Sequence, residues 1–122
     1  MKVMPNNGTN STGTDGPRMD FYINFSTTGA YYAYTRMPGL PSADNKITYG
    51  KDETYVNYYT QADTSNWIWK KSNSMTISST GVHHFNLWQK LDGAICDKIV
   101  MTTNSSYAPA GTDTGPAESS RQ

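Results

Sequence analysis

The sequence predicts an all-β fold, an antiparallel β-sandwich or jelly roll, from its composition, its side-chain alternation and the spacing of its apolar segments. Serine, threonine and asparagine make up 38 of the 122 residues, and these residue types favour turns and strands over helices. Tyrosine occurs nine times and leucine only three times, whereas helical domains depend on leucine, alanine, glutamate and lysine. The apolar side chains nowhere repeat convincingly with the ~3.6-residue period of a helix.

Short strands account for most apolar residues in the middle of the chain. Residues 19–25 alternate Met, Phe, Ile and Phe with Asp, Tyr and Asn, which is the pattern of a half-buried strand. Such segments recur at the spacing of roughly 8–12 residues that is typical of sandwiches. The first two strands are close enough in sequence to form a hairpin. We expect eight strands, at residues 19–25, 30–37, 46–50, 54–60, 67–70, 74–78, 82–89 and 94–103.

The length of the chain fits a single domain with polar flanks. Residues 1–18 are rich in proline, glycine and small polar residues, and only residues 1–4 could form a strand. Residues 19–108 form the predicted sandwich, and residues 109–122 form a Pro/Gly/Ser/Thr-rich tail typical of a linker. The sequence contains no signal peptide, so either the parent protein is cytosolic or the sequence is a module of a longer secreted chain, and we favour the second interpretation.

Charge and hydropathy exclude two classes of partner. Ten basic and ten acidic residues cancel, whereas a nucleic-acid-binding domain normally carries a basic excess. The chain has no polybasic segment for a membrane surface and no apolar run near the ~20 residues that span a bilayer. We therefore expect neither nucleic acid nor a membrane among its partners.

Catalytic motifs are absent, so the sequence predicts a protein that is not an enzyme. The single cysteine, Cys96, lies in an apolar stretch and is expected to be a buried strand residue rather than a nucleophile. One cysteine excludes an internal disulfide and a cysteine-based zinc site. Most acidic residues fall in predicted turns or tails, whereas glycoside hydrolysis requires two carboxylates that face each other across a cleft.

Three stretches, in order along the chain, resemble the carbohydrate-binding modules of families 6 and 35. The first, TTGAYYAYTR at residues 27–36, resembles a strand of these modules that carries glycine, tyrosine and arginine. The second is WIW at residues 67–69, followed by ISSTGVHHFNLW at residues 77–88. The third resembles the end of modules in secreted polysaccharide-degrading enzymes, and it comprises DGAICDKIVMTTN at 92–104, YAP at 107–109 and GPAES at 115–119.

The resemblance implies a galactose-binding-like β-sandwich over about residues 19–119 that binds a polysaccharide. Such modules usually open with a strand that carries an acidic signature, and this sequence lacks it. A sandwich without that strand would expose a neighbouring sheet edge, so we expect a tendency to form a homodimer. Asp97 matches a carboxylate that helps to hold a structural calcium ion in these families, although it could instead accept backbone hydrogen bonds where a strand begins. No cofactor is otherwise expected.

Trp67 is the candidate platform for a sugar ring, because it follows a polar stretch at the start of a predicted strand. Sugars stack their C–H faces on aromatic rings and pair their hydroxyl groups with polar side chains. In the resembling modules the first tryptophan of this pair is often the platform and the second packs inward, but Trp67 could also belong to the core. The residues expected to contact the ligand are Trp67, Arg36, Tyr34, Asn66, Trp69, Lys90 and Asp92.

The role of the strand that carries Arg36 remains open at the level of sequence. Tyr32, Tyr34 and Arg36 share one face by the period of two, and the sequence does not say whether that face points inward. Arg36 could donate to a sugar hydroxyl group, or it could form a structural ion pair with Asp92 or Asp44.

The function that these observations favour is binding of a plant or algal polysaccharide, by a module that directs an attached glycoside hydrolase or related enzyme to its substrate. The alternative is a structural or adhesion β-sandwich of a secreted multidomain protein, without affinity for glycans. Trp88 and His84 could add a second aromatic patch on a sheet face, whereas His83 is expected to be a hydrogen-bonded core residue.

Overall fold

The structure is a computed structural model that describes residues 13–40, 45–62, 66–107 and 115–117. Its described residues form eight strands and no helix that could cross a bilayer. The all-β prediction is confirmed, while the predicted strand at residues 1–4 lies outside the described residues. The strands are β1 (Arg18–Phe25), β2 (Gly29–Pro38), β3 (Asn45–Lys51), β4 (Thr54–Gln61), β5 (Trp67–Lys71), β6 (Met75–Ile77), β7 (Gly81–Gln89) and β8 (Lys98–Thr102).

The strands form two antiparallel sheets that face each other. The first sheet has the order β1-β7-β3-β4. In the second sheet β2 pairs with β5, β6 and β8. Between β5 and β6, Ser72 continues the pairing, because its backbone N–H donates to the Ala33 carbonyl and its hydroxyl accepts from the Ala33 N–H, each at 2.8 Å.

The prediction that the first two strands form a hairpin is wrong. β1 pairs with β7, in a register that sets Phe21 opposite Phe85, and β2 lies in the other sheet. The connection between them crosses from one sheet to the other, and the rings of Phe25 and Tyr31 meet edge to face across it at 4.8 Å. Alternation along a strand determines which side chains face inward, but it does not determine which strand becomes the neighbour.

The core lies between the sheets and contains the alternate side chains of each strand. Ala33 and Met37 of β2 oppose Ile47, Phe85 and Leu87 of the first sheet, and all five are buried. Such burial of apolar surface supplies the main favourable free energy of the fold.

Buried polar atoms in this core are joined across the two sheets. The Tyr59 hydroxyl donates to the carbonyl of Ala33 at 2.9 Å, and its ring packs at 4.3 Å from the ring of Tyr49. Burial raises the pKa of Tyr59, so the phenol remains a donor. Cys96 is buried as predicted, although it precedes β8 instead of lying in a strand, and burial raises the pKa of its thiol to about 11, which keeps it protonated.

At one end of the sandwich, Asn45 ties together the segments around the start of β5. Its side-chain amide donates to the carbonyls of Pro38 and Ile95, at 2.7 and 2.6 Å, and its oxygen accepts from the Ile95 N–H at 3.2 Å. Because Pro38 pairs with Trp67, this buried asparagine also fixes the backbone on which the tryptophan stands.

At the opposite end, the β3–β4 turn is held by His83. Asp52 and Glu53 have φ of 47° and 67°, the left-handed pair of a tight hairpin turn. The His83 Nδ1 lies 2.8 Å from the Asp52 carboxylate, and its Nε2 lies 2.8 Å from the carbonyl of Ser79. His83 is therefore hydrogen-bonded as expected, but it clamps a turn at the end of the sandwich.

Candidate functional site

The two sheets present two different outer faces. Alternation turns one set of side chains of β2, β5 and β8 away from the core, and we call this surface the covered face. The corresponding surface of the first sheet and its β3–β4 turn is called the tyrosine face. The covered face comprises Tyr32, Tyr34, Arg36, Trp67, Trp69, Lys71 and Lys98, and the tyrosine face comprises Arg18, Asp20, Tyr22, Glu53, Tyr55, Tyr58 and Lys90.

Trp67 stands at the edge of the covered face and is partly exposed. It is the first residue of β5 and pairs with Pro38, and the exposed Asn66 precedes it. The guanidinium carbon of Arg36 lies 5.3 Å from the centre of the indole, within the range of a cation–π contact. The structure therefore brings together three of the predicted ligand-binding residues, Trp67, Arg36 and Asn66, and we call this group the Trp67 rim.

Arg36 is held by Asp97 rather than by the partners expected from the sequence. Its Nε donates to the Asp97 Oδ1 at 2.9 Å, and its Nη2 donates to the Oδ2 of the same carboxylate. The backbones of the two residues are also hydrogen-bonded, because the Asp97 N–H donates to the Arg36 carbonyl at 3.2 Å. We expected Asp92 or Asp44 in this role, and Asp44 lies outside the described residues. The bidentate geometry fixes the guanidinium next to the indole.

This geometry does not fit a calcium ion at Asp97. Both oxygens of the carboxylate already accept hydrogen bonds from the Arg36 guanidinium, and a cation placed there would meet its positive charge. Calcium takes about six to eight oxygen ligands. Among the described residues no group of three or more acidic, histidine or cysteine side chains is arranged to bind a metal.

Tyr34 is not placed to contact a ligand, although it was predicted to do so. Its side chain is 5% exposed, its hydroxyl donates to the Ser105 carbonyl at 3.2 Å, and its ring meets that of Tyr107 at 5.4 Å. The residues that cover it follow β8, about 70 positions later in the sequence. The residue pattern of β2 could not reveal that Tyr34 is buried, because the residues that cover it are distant in sequence.

Trp69 is covered by a second part of the C-terminal segment. Gly115 approaches the indole so closely that a Cβ on this residue would lie 2.7 Å from the Trp69 Cζ2, and its φ is +74°. Lys98 of β8, which is separated from Trp69 by β2, donates to the carbonyl of Pro116. Trp69 therefore faces away from the core, contrary to an inward-packing second tryptophan, but the chain itself lies over it.

Lys90 lies on the tyrosine face and not beside Trp67. The Lys90 ammonium lies 4.6 Å from the centre of the Tyr58 ring, which places it on the tyrosine face. The Asp92 Oδ1 lies 3.5 Å from the Gln89 Nε2, at the end of β7. Because Lys90 contacts Tyr58, the predicted set of ligand contacts is divided between two surfaces.

The tyrosine face carries the most exposed rings of the described residues. Tyr22 is 67% exposed, Tyr55 47% and Tyr58 42%. The sequence predicted Trp88 and His84 for a patch on a sheet, but Trp88 is only 2% exposed and lies over Gly50. Tyr22 occupies a polar position in the alternation of β1, and this signal could have identified it from the sequence.

A network of polar side chains lies beside these rings. Arg18 forms ion pairs with Asp20 at 2.9 Å and with Glu53 at 3.2 Å. The buried Asn86 donates to Asp20 at 2.7 Å and accepts from the Glu53 N–H at 2.8 Å. The network joins β1, β7 and the β3–β4 turn across the sheet, so the Asp20 carboxylate and the Glu53 backbone are held in fixed positions.

Comparisons with known proteins identify the fold. No protein-family model matches the chain. A family 35 carbohydrate-binding module from an environmental isolate superposes with a TM-score of 0.61 at 14% identity, covering 85% of each chain. A Podospora anserina GH26-CBM35 β-(1,4)-mannanase superposes with a TM-score of 0.64 at 15% identity, covering 88% of this chain and 25% of the mannanase.

One curated relative also matches. It is the uncharacterized protein P23 of Formosa agariphila, which is 25% identical over 115 aligned positions. The alignment covers 80% of this chain and 27% of the relative, so the chain spans about a quarter of the length of that protein. Together with the two antiparallel sheets, the structural likeness shows that the chain has a galactose-binding-like β-sandwich fold similar to that of family 35 carbohydrate-binding modules.

Proposed function

We propose that the chain is a non-catalytic polysaccharide-binding module of a secreted protein, and that it brings an attached catalytic domain to its substrate. The observation that carries this proposal is the partly exposed Trp67 indole at a sheet edge, fixed by Arg36 and preceded by the exposed Asn66. The similarity of the fold to family 35 modules supports the same role.

A sugar that stacks on Trp67 would bind more tightly because the indole is already held in place. Asp97 holds Arg36, and Arg36 lies against the ring, so little side-chain freedom remains to be lost when a sugar binds. The ring supplies an apolar surface for sugar C–H groups, and the amide of Asn66 supplies hydrogen-bonding groups for hydroxyls. The contact area is small, so we expect Kd values between about micromolar and millimolar.

Weak binding is sufficient for a module that is tethered to an enzyme. Tethering converts binding of the catalytic domain to the polymer into an intramolecular event, which raises the local substrate concentration. Glycoside hydrolysis requires two carboxylates that face each other across a cleft, and we assign that chemistry to the attached domain. The mannanase with the similar fold makes β-1,4-mannan the first polymer to test, followed by other plant and algal polysaccharides.

Affinity gel electrophoresis against a panel of soluble polysaccharides tests the proposal. We expect at least one polymer to retard the native chain, and Trp67→Ala to weaken this retardation by at least about tenfold in Kd. Ile68→Ala is the matched control, because this half-buried side chain belongs to the same strand but points to the other face of the sheet. It should keep the native affinity.

Two results would contradict the proposal. A folded native chain that no glycan retards would favour the structural or adhesion alternative. Release of reducing sugar by the isolated chain would instead identify it as an enzyme. In both cases circular dichroism and the Tm must show that the chain is folded.

A further inference from the structure

Both carboxylate oxygens of Asp97 are bound by a cationic side chain of the chain itself. The Arg36 Nε donates to Oδ1 at 2.9 Å, and its Nη2 donates to Oδ2, so the planar guanidinium meets the carboxylate with two parallel hydrogen bonds. The two side chains are 14% and 30% exposed, which places the pair largely out of solvent. Salt therefore screens this ion pair less than it screens a pair on the open surface.

The same ion pair joins two strands of the second sheet and the Trp67 rim. In the register of that sheet, Arg36 lies opposite Lys98 of β8 on one side and opposite Trp69 of β5 on the other. Asp97 comes directly before β8, and its N–H donates to the Arg36 carbonyl at 3.2 Å. The guanidinium carbon also lies 5.3 Å from the centre of the Trp67 indole. One guanidinium therefore connects the start of β8, the end of β2 and the tryptophan.

A divalent cation at Asp97 would have to take oxygens that the guanidinium already holds. Calcium prefers about six to eight oxygen ligands, and several of these are usually carboxylates. Residues 1–17 carry one carboxylate, that of Asp15, and the described part of the chain has no group of three acidic, histidine or cysteine side chains that could hold a metal. Lys98, directly after Asp97, adds a further positive charge. Since like charges repel a cation, these residues favour the internal guanidinium.

We infer that the Arg36 guanidinium is a built-in cation at Asp97, where the resemblance to families 6 and 35 implies calcium, and that the fold and the Trp67 rim form without a metal ion. A guanidinium stays protonated at any pH at which the chain is folded, and it belongs to the chain. The position is therefore filled at every calcium concentration, whereas a metal site empties when the free metal falls below its Kd. Only the consequence for glycan binding rests on the proposed function.

Thermal unfolding of the whole chain with and without metal tests the inference. The Tm in millimolar EDTA should equal the Tm in millimolar calcium chloride within about 1 °C, because a metal that bound the folded chain would raise the Tm. Terbium, a luminescent substitute for calcium, should give no saturable emission when the tryptophans are excited. The inference is overturned if the Tm falls in EDTA and recovers with calcium, or if terbium emission saturates and Asp97→Asn removes it.

A double-mutant cycle in EDTA tests whether Arg36 is the group that holds Asp97. Arg36→Met and Asp97→Asn should each lower the Tm by at least about 4 °C. The double variant should lose little more than the worse single variant, because it leaves no unpaired charge. Arg36→Lys keeps the charge but cannot make the two parallel hydrogen bonds, so its Tm should lie between those of the native chain and Arg36→Met.

Glu53→Gln is the matched control for this cycle, because it removes a carboxylate that pairs with an arginine but is 60% exposed. Its Tm should stay within about 2 °C of the native value. Additive losses at Arg36 and Asp97 would overturn the inference, because Asp97 would then be held by a group other than the guanidinium.

Glycan binding distinguishes a failure of this inference from a failure of the proposed function. On a polysaccharide that retards the native chain, the Kd in EDTA should agree with the Kd in calcium within about twofold. A Kd that weakens in EDTA contradicts the inference and leaves the proposed function intact. If no polysaccharide retards the native chain, the proposed function fails, whereas the Tm, terbium and double-mutant measurements still decide whether Arg36 replaces the metal.

Discussion

The two outer faces of the sandwich carry similar residues but present them to solvent very differently. Tyr34 and Tyr22 both occupy outward positions of their strands, yet Tyr34 is 5% exposed and Tyr22 is 67% exposed. The difference arises from Ser105 and Tyr107, which lie against Tyr34. An outward position in a strand thus makes a ring available for binding only if no later segment of the chain lies over it.

Two lysines of the covered face bind the C-terminal segment that lies over it. The Lys71 ammonium lies 4.5 Å from the centre of the Tyr32 ring and donates to the Ser105 carbonyl at 2.7 Å. Lys98 donates to the Pro116 carbonyl in the same way. These charged groups stabilise a segment of irregular backbone, whereas on the tyrosine face Arg18 is paired with side chains of its own sheet and its turn.

The largest expected loss of stability comes from a substitution at Gly50, in the first sheet beneath the tyrosine face. In Gly50→Ala, the new Cβ would lie 2.1 Å from the Thr54 carbonyl oxygen and 2.9 Å from the Trp88 ring. The backbone atom cannot move aside cheaply, so we expect a loss of about 3 kcal/mol or more in unfolding free energy. Chemical denaturation measures this loss, and Val82→Ala should stay within about 0.5 kcal/mol of the native chain. A Gly50→Ala variant as stable as the native chain would show that Thr54 and Trp88 do not pack closely against Gly50.

The second-largest expected loss of stability follows from removing an ion pair, and it should differ between the two faces. The side chain of Arg36 is 14% exposed beside Asp97, so Asp97→Asn should cost about 2 kcal/mol by removing a partly buried, bidentate contact. Glu53→Gln is the matched change on the tyrosine face, where Glu53 is 60% exposed, and it should cost less than about 0.5 kcal/mol. Equal losses in the two variants would contradict the difference between the faces.

A smaller effect tests the cover directly. Tyr107→Ala removes the ring that lies against Tyr34, and we expect it to cost about 1 kcal/mol and to raise quenching of the intrinsic fluorescence by acrylamide. Tyr55→Ala truncates the same residue type where it is exposed, and should change stability by less than about 0.5 kcal/mol. If Tyr107→Ala leaves both stability and quenching unchanged, the C-terminal segment does not protect this face.

The smallest effect concerns pH and the turn beside the tyrosine face. The hydrogen bond that His83 donates to the Asp52 carboxylate raises the pKa of His83 above 6.5, so this contribution to stability is complete below pH 6.5 and is lost as the pH rises through the folded-state pKa. Burial tends to raise the pKa of Asp52, but hydrogen bonds from His84, His83 and Lys51 outweigh it and set the pKa at about 2. That contribution is complete above pH 3.8 and is lost as the pH falls towards 2.

Denaturation curves at several pH values check this dependence. Stability from this clamp should be greatest between about pH 4 and 6.5, and His83→Gln should remove the loss on the alkaline side while leaving the acid side to Asp52. If His83→Gln loses stability with rising pH as the native chain does, another group causes that loss.

Local pattern was sufficient to predict that the chain forms strands and that Cys96 is buried. The alternation in β1 is carried by adjacent residues, as is the apolar context of Cys96, so each could be identified without knowledge of neighbours. The tryptophan at the start of β5 was also predictable as a rim residue from the polar residues before it.

The partner of each group could not be predicted in the same way. Arg36 pairs with Asp97, 61 positions later, and Trp88 is buried over Gly50 of another strand. Such contacts depend on strand order and on the path of the C-terminal segment. The sequence predicted Trp88 as an exposed ring of this sheet and did not single out Tyr22, Tyr55 and Tyr58, which are exposed while Trp88 is buried.

The sequence by itself determined that this protein forms strands, and which side of most strands is apolar, because both properties repeat with a period of two along the chain. Only the tertiary structure decided that β1 and β2 lie in different sheets, that Asp97 holds Arg36, and that one aromatic face is covered while the other remains open. These features depend on contacts between distant segments, whose pairing is set by the packing of the whole sandwich and not by the residues next to them.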